Sequence, residues 1–113
     1  MLFRSATPSS DAEETAALKA VFGPAAWAIP APAIKSMTGN TFAASGAIEA
    51  AAALLSLREQ AVPPTVNLTE PDPACDLDYV AAGAARPMSL DTIVLSNANL
   101  AGAHAALVLG RSR

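Results

Sequence analysis

The chain has 113 residues, with 7 Lys and Arg against 10 Asp and Glu for a net charge of −3. That length allows one domain or a piece of one, and the charge leaves no basic stripe to neutralise a nucleic-acid backbone. Hydrophobic residues at 52% and charged residues at 15% exclude intrinsic disorder, and 28 alanines beside five aromatics favour close-packed helices over an aromatic-rich β-sandwich.

The lone Cys75 can form no internal disulfide, and the opening Met-Leu-Phe-Arg-Ser lacks the apolar run of a secretory signal, so the expected location is cytoplasmic. The longest apolar stretch, Ala43 to Leu57, is interrupted by Ser45, Gly46, Glu49 and Ser56. It falls short of the roughly 20 residues that a membrane span needs and reads as a buried helix.

In chain order, Ser10-Asp11-Ala12-Glu13 has the form of a capping box that opens a helix. Ala17, Leu18, Val21 and Phe22 give that helix an apolar face, and Gly23-Pro24 stops it. Trp27-Ala28-Ile29, followed by Pro30 and Pro32, reads as extended, and Thr38-Gly39-Asn40 as a turn. A second helix is expected from Phe42 to Gln60, ended by Pro63-Pro64. With Ala, Ser or Gly on nearly every side, it suits a central position between layers. Thr65-Val66-Asn67 and Asp78-Tyr79-Val80 read as short strands around the acidic, proline-rich turn from Thr69 to Asp76. Thr92-Ile93-Val94-Leu95 and Ala106-Leu107-Val108-Leu109 are apolar runs of strand length that can pair antiparallel.

Lys35-Ser-Met-Thr-Gly39, followed by Ala44-Ser-Gly-Ala-Ile-Glu-Ala-Ala-Ala52, resembles the β-ketoacyl-acyl carrier protein synthases, the condensing enzymes of fatty acid and polyketide assembly. Val62-Pro-Pro-Thr-Val-Asn-Leu68, Glu70-Pro-Asp-Pro73, Leu77-Asp-Tyr-Val80 and Leu95-Ser-Asn97 are similar to that family's carboxy-terminal blocks, in order and near the right spacing. Ala6-Thr-Pro8 with Asp11, Glu14 and Val21-Phe-Gly23 extends the likeness upstream. The resemblance covers nearly the whole chain but about the last quarter of a usual family member. It implies an α/β, thiolase-like carboxy-terminal part-domain over residues 1–113, with a mixed sheet and a central Ala-rich helix.

In the family, an amino-terminal cysteine carries the acyl chain, and two histidines with a lysine support decarboxylation of the malonyl partner. The resemblance puts Lys35 at the lysine, Phe3 at the first histidine and Asn40 at the second. Phenylalanine has no donor and an amide does not titrate near neutral pH, so neither replacement does a histidine's work. The loop after Ser96-Asn97, here Ala98-Asn-Leu-Ala-Gly102, is one residue shorter than the family's glycine-rich loop. Glu49, Asp11 and Glu14 carry over as structural acids, and two readings of Lys35 stand equal: contact with a carboxylate or a pantetheine chain, or a pair with Glu49 in a dry layer.

Other combinations weigh less. His104 with Ser96 and Asp91 suggests a hydrolytic triad, but no nucleophile elbow accompanies it, and the plainer reading is a loop residue bonded to backbone. Cys75 in its acidic turn reads as an incidental thiol. Asp72, Asp76 and Asp78 lack the glycine and final glutamate of a calcium loop and read as solvated turn acids. Asn67-Leu-Thr69 matches a glycosylation acceptor by chance. The expected function is therefore a non-catalytic ketosynthase-like partner of fatty acid or polyketide synthesis, inactive alone. The alternative is the carboxy-terminal piece of a split or truncated 3-oxoacyl-acyl carrier protein synthase, and a small hydrolase using His104 is a remote third. No cofactor or metal is expected. The expected partners are a ketosynthase or ketosynthase amino-terminal half and an acyl carrier protein, with no nucleic acid and no membrane.

Overall fold

The structure, a computed structural model, describes residues 8–81, 83–99 and 101–112. Phe3, expected at a histidine position, lies outside the described residues. Helix α1 runs Pro8–Phe22. Proline suits a first helical position, where a backbone N–H would lack an intrahelical partner anyway. The helix thus begins two residues ahead of the Ser10 box, and Ser10 lies within the first turn instead of capping it. Its buried residues are Thr15 and Leu18, with Phe22 half-buried, while Ala17 and Val21 of the expected apolar face are exposed.

Gly23, at φ +55°, ends α1 as its sequence suggests. The chain then winds through a 3-10 helix, Gly23–Ala28, and becomes extended only at Ile29. Pro24 fits the start of such a turn, and the alanines after it offer no resistance, so Trp27-Ala28 is helical where an extended segment was expected. Leu18, Ala26, Ala31, Cys75, Leu77 and Tyr79 close into one apolar cluster beneath α1. Tyr79 Oη lies 2.6 Å from Thr15 Oγ1 and ties the helix to the 75–80 segment.

The short helix α2, Lys35–Thr38, ends at Gly39 with φ +72°. A 3-10 turn, Phe42–Ala44, leads into α3, Ser45–Glu59, which ends at Gln60 in the left-handed conformation. Gln60 and not Pro63-Pro64 is therefore the terminator. Its side-chain amide donates to Leu57 O and Leu90 O and accepts from the Leu90 N–H. With all of these bonds made, the residue holds the 88–90 segment against the helix end.

Strand β1, Ala61–Val62, pairs with β2, Arg86–Pro87. The expected hairpin is present and longer than read: β3, Thr92–Ala98, pairs antiparallel with β4, His104–Gly110. Where a mixed sheet was expected, the described strands make two antiparallel pairs, and between β3 and β4 the 99–103 turn is too short for the crossover that parallel pairing requires. Thr65–Asn67 and Asp78–Val80 are not strands. Thr65 N–H does reach Val80 O at 3.0 Å, but Asn67 and Val80 take φ of +61° and +55°, which breaks the pleat on both sides.

The second core forms where α3 lies on the hairpin: Ile34, Ala53, Leu57, Ile93 and Leu95 are buried together. Ser45, Glu49, Ala53 and Ser56 repeat at helical spacing on the buried face of α3. Leu54 and Leu55, on the opposite face, are 56% and 52% exposed. The helix is thus packed on one side only among the described residues, not between layers. None of the described helices is long and apolar enough to cross a membrane.

Candidate functional site

Lys35 opens α2, and its flanks are tied down by side-chain bonds. The Ala33 N–H donates to Thr65 Oγ1 at 2.9 Å, and Ser36 Oγ donates to Ala33 O while accepting from the Val66 N–H. Thr65 Oγ1 in turn donates to Tyr79 O. These bonds fix the 33–36 segment so that the Lys35 side chain enters the layer between α3 and the hairpin.

There Lys35 Nζ donates to Glu49 Oε1, and Asn97 Nδ2 donates to Glu49 Oε2. The side chains of Lys35 and Glu49 are 9% and 1% exposed. A buried carboxylate needs both an opposite charge and hydrogen bonds to offset its lost hydration, and α2 and β3 supply them to the acid on α3. The Lys35–Glu49 pair was one of the two readings the sequence left open for Lys35, and Asn97 was not given a role. The available signal was period two: Ile93, Leu95 and Asn97 share one face of β3, so Asn97 continues a buried stripe with a polar group.

Asn40 is exposed and lies beyond Gly39. Its Oδ1 accepts from the Phe42 N–H at 3.0 Å and from Ser45 Oγ at 3.2 Å, and Ser45 Oγ also meets Thr41 Oγ1 at 3.2 Å. Ser45 and Glu49 are one turn apart on the buried face of α3, which puts Asn40 next to the Lys35–Glu49 pair. An amide with its oxygen committed inward can donate a hydrogen bond outward but can transfer no proton. The ammonium of Lys35 is likewise committed to Glu49. The geometry is that of a structural ion pair beside a capped turn, with no nucleophile placed in it among the described residues.

The remaining candidates do not join this site. His104 is the first residue of β4, opposite Ala98, and not a loop residue. Asp91 lies at the other end of the hairpin, where its carbonyl accepts from the Arg111 N–H. At about 3.4 Å per residue the two are separated by roughly 20 Å along the strands, which breaks the Ser96–Asp91–His104 triad. Asn99, just after β3, accepts through Oδ1 from the Ala101 and Ala103 N–H groups and so ties the connection between β3 and β4. Cys75 is buried in the cluster under α1.

Each turn acid has its own partner. Asp72 Oδ1 accepts from the Ala74 N–H, Lys19 pairs with Asp76, and Arg86 makes a two-pronged contact with Asp78. Lys19 holds the Asp76 carboxyl below its ordinary value, aided by the Trp27 ring nitrogen. Arg86 does the same for Asp78. A groove of about 180 Å³ lies between Ile29-Pro30 and Met88–Thr92. It includes none of Lys35, Asn40 or Glu49 and is smaller than the roughly 300–1,000 Å³ typical of ligand sites.

A family model described as β-ketoacyl synthase, C-terminal domain, matches residues 4–69. The chain is 46% identical over 98 residues to 3-oxoacyl-[acyl-carrier-protein] synthase 2 of Synechocystis, covering 87% of this chain and 23% of that protein. It is 41% identical over 109 residues to the tetracenomycin polyketide synthase ketoacyl synthase alpha subunit of Streptomyces glaucescens, covering 96% and 25%. The chain spans about a quarter of the length of the curated relatives it matches. Among solved structures, it superposes on a type II polyketide ketosynthase in complex with its acyl carrier protein with a TM-score of 0.92, at 35% identity, over 98% of this chain and 28% of that one. The ishigamide ketosynthase/chain length factor gives 0.91 at 31% identity, over 99% and 28%. These likenesses bear out the α/β, thiolase-like fold.

Proposed function

The chain belongs to the β-ketoacyl synthase family, as a carboxy-terminal part of a ketosynthase fold, and from that premise we propose that it is a non-catalytic partner in fatty acid or polyketide synthesis. The observation that carries this reading is Asn40. At the position the resemblance gives to a histidine stands an amide whose oxygen is spent on the Phe42 N–H and the Ser45 hydroxyl, closing a turn instead of moving a proton. The partner is a ketosynthase or a ketosynthase amino-terminal half, and an acyl carrier protein serves the pair. In this reading residues 1–113 are one piece of a domain and work in the cytoplasm, and Lys35 is kept for its ion pair with Glu49 while Phe3 gives up the other histidine position.

The same Lys35–Glu49 pair favours a second reading, a carboxy-terminal piece of a split 3-oxoacyl-acyl carrier protein synthase, since both charges persist in a dry layer. Turnover by the chain paired with a ketosynthase amino-terminal half separates the two, because the resemblance puts the acyl-carrying cysteine in that half. General acids and bases contribute about 10² to 10⁴-fold each. The purified chain is therefore expected to condense no acyl and malonyl thioesters and to decarboxylate no malonyl-acyl carrier protein, and Asn40→His alone restores nothing. Stoichiometric malonyl turnover by the unmodified chain would refute the non-catalytic reading.

A further inference from the structure

We propose that two copies of this chain join edge to edge through β4, in an antiparallel pair centred on Leu107 that extends the hairpin into a four-stranded sheet. Among the described strands β4 pairs with β3 alone, so its outer edge is open. The inference goes beyond the partner reading above and does not rest on it.

The hydrogen bonds of the hairpin show which groups that edge presents. The Asn99 N–H donates to Ala103 O at one end, and the Arg111 N–H to Asp91 O at the other. In this register antiparallel bonding alternates residue by residue. Ala105, Leu107 and Leu109 therefore aim their backbone groups at β3, while His104, Ala106, Val108 and Gly110 aim theirs outward. Natural edge strands are guarded by lysine, proline or a bulge. From 104 to 110 there is no Lys, Arg, Asp, Glu or Pro, and the pairing with β3 runs without a bulge. Every residue of β4 except the half-buried Leu109 is exposed, Val108 at 63%.

The occupant follows from the strand itself. Laid antiparallel to its own copy about Leu107, the run His-Ala-Ala-Leu-Val-Leu-Gly sets His104 against the second copy's Gly110, Ala105 against its Leu109 and Ala106 against its Val108. Each larger side chain off the axis meets a small one, and the two Leu107 side chains meet on it. The same centre makes Ala106 and Val108 a hydrogen-bonded pair, and His104 and Gly110 another, using only the outward groups. The charges agree as well. Arg111, the first charge beyond the strand, falls opposite the second copy's Ala103, so no like charges face each other.

The test is light scattering on the full 113-residue chain across a dilution series, with introduced cysteines to map the contact. We expect a species of twice the 11.4 kDa of one chain. Leu107→Cys, on the axis, is expected to form an intermolecular disulfide under mild oxidation. Ala105→Cys is expected to form none, because its counterpart lies four residues along, roughly 14 Å away. Val108→Pro removes an outward N–H that the hairpin does not use, so it is expected to abolish the dimer while the circular dichroism and cooperative unfolding of the chain are retained. A monomer at every concentration, an aggregate of no fixed mass, equal crosslinking at 105 and 107, or a dimer that survives Val108→Pro each overturns the edge pairing. The partner reading stands in all of these cases.

Discussion

Replacing Lys35 with methionine isolates the energetics of the buried pair. The substitution keeps most of the side-chain volume but removes the ammonium, leaving the Glu49 carboxylate at 1% exposure with Asn97 as its remaining named donor. Removing one partner of a buried ion pair costs about 3–5 kcal/mol, because the other charge stays desolvated. Against a typical domain stability of roughly 5–15 kcal/mol that is a large share, and for a chain of this size it lowers Tm by on the order of 15 °C. Lys35→Met/Glu49→Leu removes both charges and is expected to recover most of the loss, since apolar replacement of a whole buried pair is often close to neutral. The assay is a double-mutant cycle by urea denaturation, with circular dichroism at 222 nm. If Lys35→Met alone is as stable as the double variant, Glu49 is not stranded by the loss of the lysine, and the pair does not organise this layer.

Thr65→Val tests the clamp that places α2. The swap preserves shape but strips the acceptor of the Ala33 N–H and the donor to Tyr79 O, so it is expected to cost about 2–3 kcal/mol, while Thr65→Ser keeps both bonds and costs less; equal losses in denaturation midpoint would contradict the clamp. Asp78 governs part of the acid limb. Arg86 lowers its folded pKa below the ordinary 3.8, so the stabilisation is fully present above about pH 4 and is lost as pH falls through the lower folded value. Arg86→Gln is therefore expected to flatten the fall of Tm between about pH 4 and pH 2, and an unchanged slope would show that the pair contributes nothing.

The sequence carried the long elements well and the turns poorly. Gly23 announced the end of α1 and the apolar runs from Thr92 onward announced the hairpin, each through one strong local preference, while the pair of Lys35 with Glu49 was one of two readings left open. The misreadings fell where tertiary bonds outweigh propensity. Ser10 looks like a cap only if Pro8 is not already helical. Pro63-Pro64 looks like a stop only if Gln60 has not already turned left-handed to bind Leu90. The 65–67 and 78–80 segments have strand composition, but Thr65 spends its hydroxyl crosslinking them, and Val80 at positive φ forbids a ladder. Asn40 stands where the resemblance puts a histidine, yet its service as an acceptor for two donors could be seen only once Ser45 was brought alongside it.

The core around α3 also sets an order of events during synthesis. Ala53 and Leu57 leave the ribosome well before Ile93 and Leu95, the strand residues that cover them. A nascent chain that has not yet reached Thr92 holds a helix without the strands it rests on, and the layer containing Glu49 cannot close until Asn97 has emerged. This core therefore closes only after the hairpin has emerged, and a product stopped before the hairpin lacks the strands on which α3 rests.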